Sequence, residues 1–298
     1  MNPNLITVYQ SPFPKRRIGR WSDGGYAIAD IPGIKYDALF AGGVCDDISF
    51  EEDFIRFQNT PMPVYAFDGT VDCLPYSPFQ HQIKFIKKNI GEFETPELTN
   101  LHNLFLPYTQ KPNSNDFDSS SVGTYRDSRS RFIDVVESAN VQEFTDAYSA
   151  FLRNPTCLRQ SGFTSNIFVK MDIEGGEVDW IRSLTKDHMD IIAQFVMEFH
   201  NPFGEKEIEM FKKINETHLL IHFHPNNVGG ARVHNGTYIP NIFECTYLHK
   251  RFFYDGVAEL NRDYIPNEAV DVRNLGFKDE IWMSHPPFVH FDKFTRHV

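Results

Sequence analysis

The stretch Ile167-Phe168-Val169-Lys170-Met171-Asp172-Ile173-Glu174-Gly175-Gly176-Glu177 constrains this chain more than any other, because a nearly unbroken apolar run passes into clustered acids and two glycines. Residues 167–173 read as a central parallel strand buried on both faces. Gly175 and Gly176 permit a tight turn, after which Val178, Ile181 and Leu184 recur on one face of a helix. Strand, tight turn and helix in that order form the unit of a doubly wound α/β sheet, whose ligands collect at the carboxyl ends of the strands. An acid so placed can also be a helix cap. A second strand end argues for a site instead: residues 191–199 are apolar and run into Met197-Glu198-Phe199-His200. Two strand ends bearing Asp172, Glu198 and His200 make an active-site rim.

The segments before this stretch keep the same rhythm. Tyr36-Asp37-Ala38-Leu39-Phe40-Ala41-Gly42-Gly43-Val44 reads as a short strand and a glycine turn, and Asp46, Asp47, Glu51 and Glu52 enrich the helix start that follows. Glycines there let a nucleotide approach the backbone. Acids there repel a pyrophosphate but tolerate the cationic end of S-adenosylmethionine. Residues 64–67 form the second strand, ending in Asp68 where a ribose diol would be held. Residues 79–89 are expected to be a helix and residues 101–106 the third strand. Upstream, Lys15-Arg16-Arg17 is a basic cluster with a phosphate-binding reading beside that of a solvated face. Asp23-Gly24-Gly25-Tyr26 is hairpin chemistry leading into a strand over 26–29.

Residues 111–131 have the composition of a lid or substrate loop, and Arg126, Arg129 and Arg131 are placed to clamp a phosphorylated substrate. An amphipathic helix is expected over 141–152 and a charged one over 205–214. The strand after it delivers His222, His224, Asn226 and Asn227 to the same end of the sheet, and a closing strand over 239–248 carries Glu244 in an apolar run, which demands a partner. The whole chain, 1–298, is expected to be one domain with a core over about 16–250 and a C-terminal extension over 251–298.

Composition excludes other classes. A formal net charge of −11 and a pI near 5.5 oppose nucleic-acid partners and attraction to anionic membranes. Cys45, Cys73, Cys157 and Cys245 show no C-x-x-C spacing, so neither a zinc site nor a disulfide framework is indicated, and a cytoplasmic location is expected. No signal-peptide pattern or membrane-length apolar run occurs, and the sequons at Asn215 and Asn235 read as chance.

Taken together, these motifs resemble class I S-adenosylmethionine-dependent methyltransferases, most closely the FkbM-like family. Lys170-Met171-Asp172-Ile173-Glu174-Gly175-Gly176-Glu177 is similar to that family's Lys-hydrophobic-Asp-hydrophobic-Glu-Gly-Ala/Gly-Glu signature. Ile18-Gly19-Arg20, Asp23-Gly24-Gly25-Tyr26, Ala41-Gly42-Gly43-Val44, Asp47-Ile48-Ser49-Phe50-Glu51 and Ala66-Phe67-Asp68-Gly69 add to it. The resemblance implies a seven-stranded Rossmann-like sheet of order 3-2-1-4-5-7-6 with the last strand antiparallel and helices on both faces. It also implies O-methylation of a sugar, nucleotide sugar or glycan. Gly24, Gly25, Tyr26, Gly42, Gly43, Asp47, Asp68 and Asp172 would then line the donor site, with Asp172 beside the methyl.

A sugar hydroxyl is a weak acid, so the reaction needs a general base or a metal. His200 or His224 suits the base, oriented by Asp172 or Glu198. In the second route Asp172 and Glu198 bind Mg²⁺ or Mn²⁺. Two other readings stand beside this one: a Rossmann-type NAD(P) oxidoreductase, disfavoured because no full G-x-G-x-x-G occurs, and a non-catalytic sugar- or nucleotide-binding domain. Self-association is left open.

Overall fold

The computed structural model describes residues 2–109, 165–253 and 258–291. A seven-stranded sheet runs through the molecule. Its strands in chain order are β1 (Ala38–Gly42), β2 (Val64–Phe67), β3 (Ile83–Ile86), β4 (Ile167–Met171), β5 (Ile192–His200), β6 (His218–Pro225) and β7 (Ile242–His249). Across the sheet they stand β3-β2-β1-β4-β5-β7-β6, and β7 alone runs antiparallel to both neighbours. Three two-stranded ribbons lie outside this sheet, so the chain has more strands than a plain seven-strand succession. The flanking helices are fewer than a doubly wound sheet usually carries, and no helix among the described residues joins β2 to β3.

Five α-helices are described: α1 (Ser49–Gln58), α2 (His102–Thr109), α3 (Glu177–Ser183), α4 (Lys186–Ile191) and α5 (Glu205–Thr217). Strand residues alternate between two apolar layers. Phe40, Val169, Met171, Met197 and Phe199 pack with Phe105 of α2, Trp180 of α3, Met189 of α4 and Phe211 of α5. Leu39, Ala41, Phe168, Ala193 and Val196 pack on the opposite face with Phe50 and Phe54 of α1 and with the N-terminal hairpin, Lys15–Ile18 paired to Tyr26–Ala29.

Two expectations reverse. Residues 83–86 are strand and not helix, because Ile83, Phe85 and Ile86 satisfy a short edge strand paired in parallel to β2 as well as they satisfy a helical stripe. Lys84 stands exposed on that edge, where a charge discourages further pairing. Residues 102–109 are helix and not strand. The Asn100 side chain accepts from the His102 amide at 3.1 Å, which supplies a cap at the start of the turn, and Phe105 then points into the core. The 111–131 loop, its three arginines and the 141–152 helix lie outside the described residues.

Several histidines are buried in neutral form. His218 is fully buried, with Nδ1 beside the Thr217 hydroxyl at 2.7 Å and Nε2 on the Ile192 carbonyl at 2.9 Å, and burial pushes its pKa down to about 3. Burial likewise pushes His188 of α4 down to about 4. A histidine depressed below its ordinary value of 6.5 contributes stability above that pH and loses it as pH falls toward the folded-state value. Unfolding free energy should therefore fall between pH 6.5 and about 4 by up to roughly 1.4 kcal/mol per pH unit for each such histidine. Denaturant midpoints measured across that range check this, and a His218→Gln variant should show a shallower slope. An unchanged slope in that variant would remove His218 from the account.

Candidate active site

Cross-strand register builds the site. Met171 pairs with Met197, Glu198 with Glu244, and Glu244 with His224. Asp172 follows β4 directly, so Asp172, Glu198, Glu244 and His224 form one row along the carboxyl end of the sheet, on the face covered by the N-terminal hairpin. That hairpin is stitched to the sheet by polar contacts. Tyr26 donates its hydroxyl to Asp172 Oδ2 at 2.9 Å, Thr246 donates to the Ala27 carbonyl, and the Ala29 amide donates to Gln194 Oε1 at 2.6 Å. Tyr26 is thereby a positioning residue for Asp172, and burial followed by the Asp172 charge holds its hydroxyl protonated. Glu198 accepts from Asn226 Nδ2 at 2.6 Å, while burial and the charges of Asp172 and Glu244 push its pKa up to about 10. Glu198 therefore carries a proton at neutral pH.

His200, the last residue of β5, reaches over this row. Its Nε2 lies 3.3 Å from Glu174 Oε2 and 3.7 Å from Glu198 Oε2, and its buried Nδ1 has no hydrogen-bond partner among the described residues. Asp172, Glu174 and His200 each place one donor atom within 4.8 Å of the others, a set able to hold a metal ion. Two carboxylates and an imidazole suit a hard divalent cation such as Mg²⁺ or Mn²⁺. The second carboxylate of this set is the exposed Glu174, at φ +56°, and not Glu198 of the expected pair Asp172 and Glu198. Glu177 closes the turn, accepting from the Ile173 amide at 2.9 Å.

The glycine turn lies next to this row. Gly43 adopts φ +69°, and a Cβ there would sit 1.6 Å from the Asp172 carbonyl oxygen. Lys170, buried in β4, donates from Nζ to the Gly43 carbonyl at 3.1 Å. Asp68 accepts from the Cys45 amide at 2.8 Å and from the Thr70 amide at 2.7 Å. Burial opposes its charge, but the Thr70 hydroxyl and the amides of Thr70 and Cys45 outweigh burial and keep the carboxyl ionised. Asp68 so braces the turn and stands at the end of β2 together.

Other expected residues serve the scaffold. Asp47 pairs with Arg20 at 2.8 Å and accepts from Ser49 at the start of α1, while a Cβ on Gly24 would lie 2.7 Å from Asp47 Oδ2. Asp47 and Gly24 thus hold the hairpin turn against the start of α1, and Gly25 turns within the hairpin, its amide donating to the Ser22 carbonyl at 3.4 Å. The basic cluster is also committed: Arg16 pairs with Asp30, and Arg17 donates to the carbonyls of Arg20, Ser22 and Val270.

The C-terminal segment closes the far end of the row. His224 Nδ1 meets Glu244 Oε2 at 3.1 Å and its Nε2 faces Glu280 at 3.9 Å. Burial opposes the charge, yet the two carboxylates push His224 up to about 10, so it is an imidazolium with no free lone pair. That pairing sets His224 apart from His200, the other histidine expected as a base. His222 is held by Asp271 at 2.7 Å, and Asn227 by the carbonyls of Leu275 and Lys278. Both fasten the extension to the sheet and are buried. Asn226 orients Glu198.

Sequence reasoning missed Glu51 and left Lys170 without a role. Glu51 in the first turn of α1 is fully buried, its carboxylate paired with no other side chain among the described residues, and burial, opposed by Lys170 and by its own backbone amide, pushes its pKa up to about 7. The available signal was a lysine inside an otherwise apolar strand, since such a charge needs an acid nearby. No protein-family model matches the chain, and a search of curated proteins also finds no match.

Proposed function

We propose that this chain is an S-adenosylmethionine-dependent O-methyltransferase acting on a hydroxyl of a sugar, nucleotide sugar or glycan. The observation that carries the reading is the row of acids beside a glycine turn at the β1–β4 switch point: Gly42 and Gly43 leave no room for a side chain, Asp68 ends β2, and Asp172 ends β4. The donor supplies an electrophilic methyl on a cationic sulfonium, and an acid-rich rim favours that charge over a pyrophosphate. Ala41-Gly42-Gly43-Val44-Cys45-Asp46-Asp47 places carboxylates where a dinucleotide phosphate would sit. That arrangement disfavours the NAD(P) reading.

Within this reading Tyr26 holds Asp172 in place, and His200 accepts the acceptor's proton with the Glu174 carboxylate beside it to stabilise the imidazolium. Glu198, carrying a proton, is not the base in this reading. In the metal route Asp172, Glu174 and His200 would hold Mg²⁺ or Mn²⁺, which would lower the pKa of a bound hydroxyl. No described helix is long and apolar enough to cross a membrane, and the described cysteines Cys45, Cys73 and Cys245 are free, which suits a cytoplasmic enzyme.

Titration calorimetry with S-adenosylmethionine and, separately, NAD⁺ tests the class. The methyl donor should bind and NAD⁺ should not. Asp68→Ala should weaken donor binding at least tenfold, about 1.4 kcal/mol. Binding of NAD⁺ alone would replace the reading, and donor affinity unaffected by Asp68→Ala would take Asp68 out of the site.

A further inference from the structure

Outside the row, the C-terminal segment carries an open cleft of about 720 Å³, lined in part by Arg262, Asp263, Tyr264, Asn267, Glu268 and Trp282. Its construction is regular. Ile265 and Met283 form an antiparallel bridge, with the Met283 amide donating to the Ile265 carbonyl at 2.9 Å, and both side chains are buried. Alternation across such a bridge turns the neighbouring residues outward. Tyr264 and Trp282 are accordingly 67% and 53% exposed, and both line the cleft. Two large rings gathered in one concave surface with a guanidinium, two carboxylates and an amide differ from apolar residues scattered singly over a surface.

We infer that this cleft is a binding site for a neutral oligosaccharide. A pyranose presents an apolar face of C–H groups and a rim of hydroxyls. Exposed Trp and Tyr rings offer the first a flat apolar platform, and planar carboxylate, amide and guanidinium groups match the second. The volume lies within the roughly 300–1,000 Å³ of small-molecule sites. Charge selects against anions, because Asp263 and Glu268 outnumber Arg262. The wall is tied to the sheet: Asn267 Oδ1 accepts from the Ala269 amide at 3.1 Å, and the Asn267 backbone N–H donates to Asp271 Oδ2 at 2.6 Å, which in turn holds His222 of β6. Saccharide binding here requires neither the donor site nor methyl transfer.

Saturation-transfer NMR and calorimetry on the full chain test this with maltotriose, cellotriose and triacetylchitotriose, and with trigalacturonate as the anionic comparison. At least one neutral trisaccharide should bind saturably, with the largest transfer to ring C–H protons. Trp282→Ala and Tyr264→Ala should each weaken it at least tenfold, whereas Trp282→Tyr should retain most of the affinity. Both side chains are exposed, so melting temperature and donor titration should stay unchanged, which separates this site from the donor site. Absence of saturable binding by all three neutral probes overturns the inference. So does affinity that survives both alanine substitutions, or tighter binding of trigalacturonate.

Discussion

Gly43→Ala should lower the unfolding free energy by on the order of 3 kcal/mol, combining a left-handed backbone that an L-residue adopts at a cost of about 1–2 kcal/mol with a steric conflict. The conflict is with backbone. The added Cβ would lie 1.6 Å from the Asp172 carbonyl oxygen, and the Gly43 amide is already tied to the Phe67 carbonyl at 2.9 Å. Relief requires β1 and β4 to part where the Asp172 amide bonds the Gly42 carbonyl, so Asp172 would be displaced from Tyr26 as well. Gly33 provides the control, since at φ +72° it has nothing within 4 Å of its notional Cβ. Gly33→Ala should therefore show the backbone term alone, about 1–2 kcal/mol. Guanidinium unfolding of both variants checks the difference, and equal losses would show that the β1–β4 approach is looser than described.

Asp172→Asn should leave the fold intact and remove methyl transfer, on the reading proposed above. Asn Oδ1 still accepts from the Tyr26 hydroxyl, so the hairpin remains fastened and the melting temperature should move little. The charge is lost, which weakens any metal ligand at this position and removes the electrostatic partner of a developing cation. Turnover should fall 100-fold or more, on the order of 3 kcal/mol in the barrier. Glu174→Gln and chelation divide the two routes. Activity abolished by EDTA and restored by Mn²⁺, together with lost Mn²⁺ binding in Glu174→Gln, selects the metal. Full activity in EDTA with His200→Ala inactive selects the base. Near-normal turnover of Asp172→Asn would leave Asp172 as a buried support for the Tyr26 hairpin and nothing more.

Much of the site was readable from the order of residues because strand ends announce themselves. Residues 167–177 supply a strand, a turn and Asp172, and residues 191–200 supply Glu198 and His200, since a buried parallel strand needs an unbroken apolar run that breaks only where it reaches the rim. Less was readable at the sheet's edge. Ile83, Phe85 and Ile86 fit strand and helix spacing alike, and the choice fell to pairing with β2, a contact between segments far apart in sequence. The helix at His102–Thr109 was likewise decided by one side-chain cap at Asn100 and by burial of Phe105.

The sequence by itself determined the class of sheet, the glycine turn and the acids at strand ends, because these follow from periodicity and from what a backbone without a side chain permits. Only the tertiary structure decided which polar groups at the strand ends are held by partners and which face the row without one. Spacing along the chain places His200, His222 and His224 alike at strand ends. Partners separate them: His200 turns Nε2 toward Glu174 while its buried Nδ1 has no hydrogen-bond partner among the described residues, whereas Asp271 holds His222 and Glu244 holds His224. A histidine's protonation state depends on the charges and burial around it, and those arrive from β7 and the C-terminal segment, which no local pattern in β6 foretells.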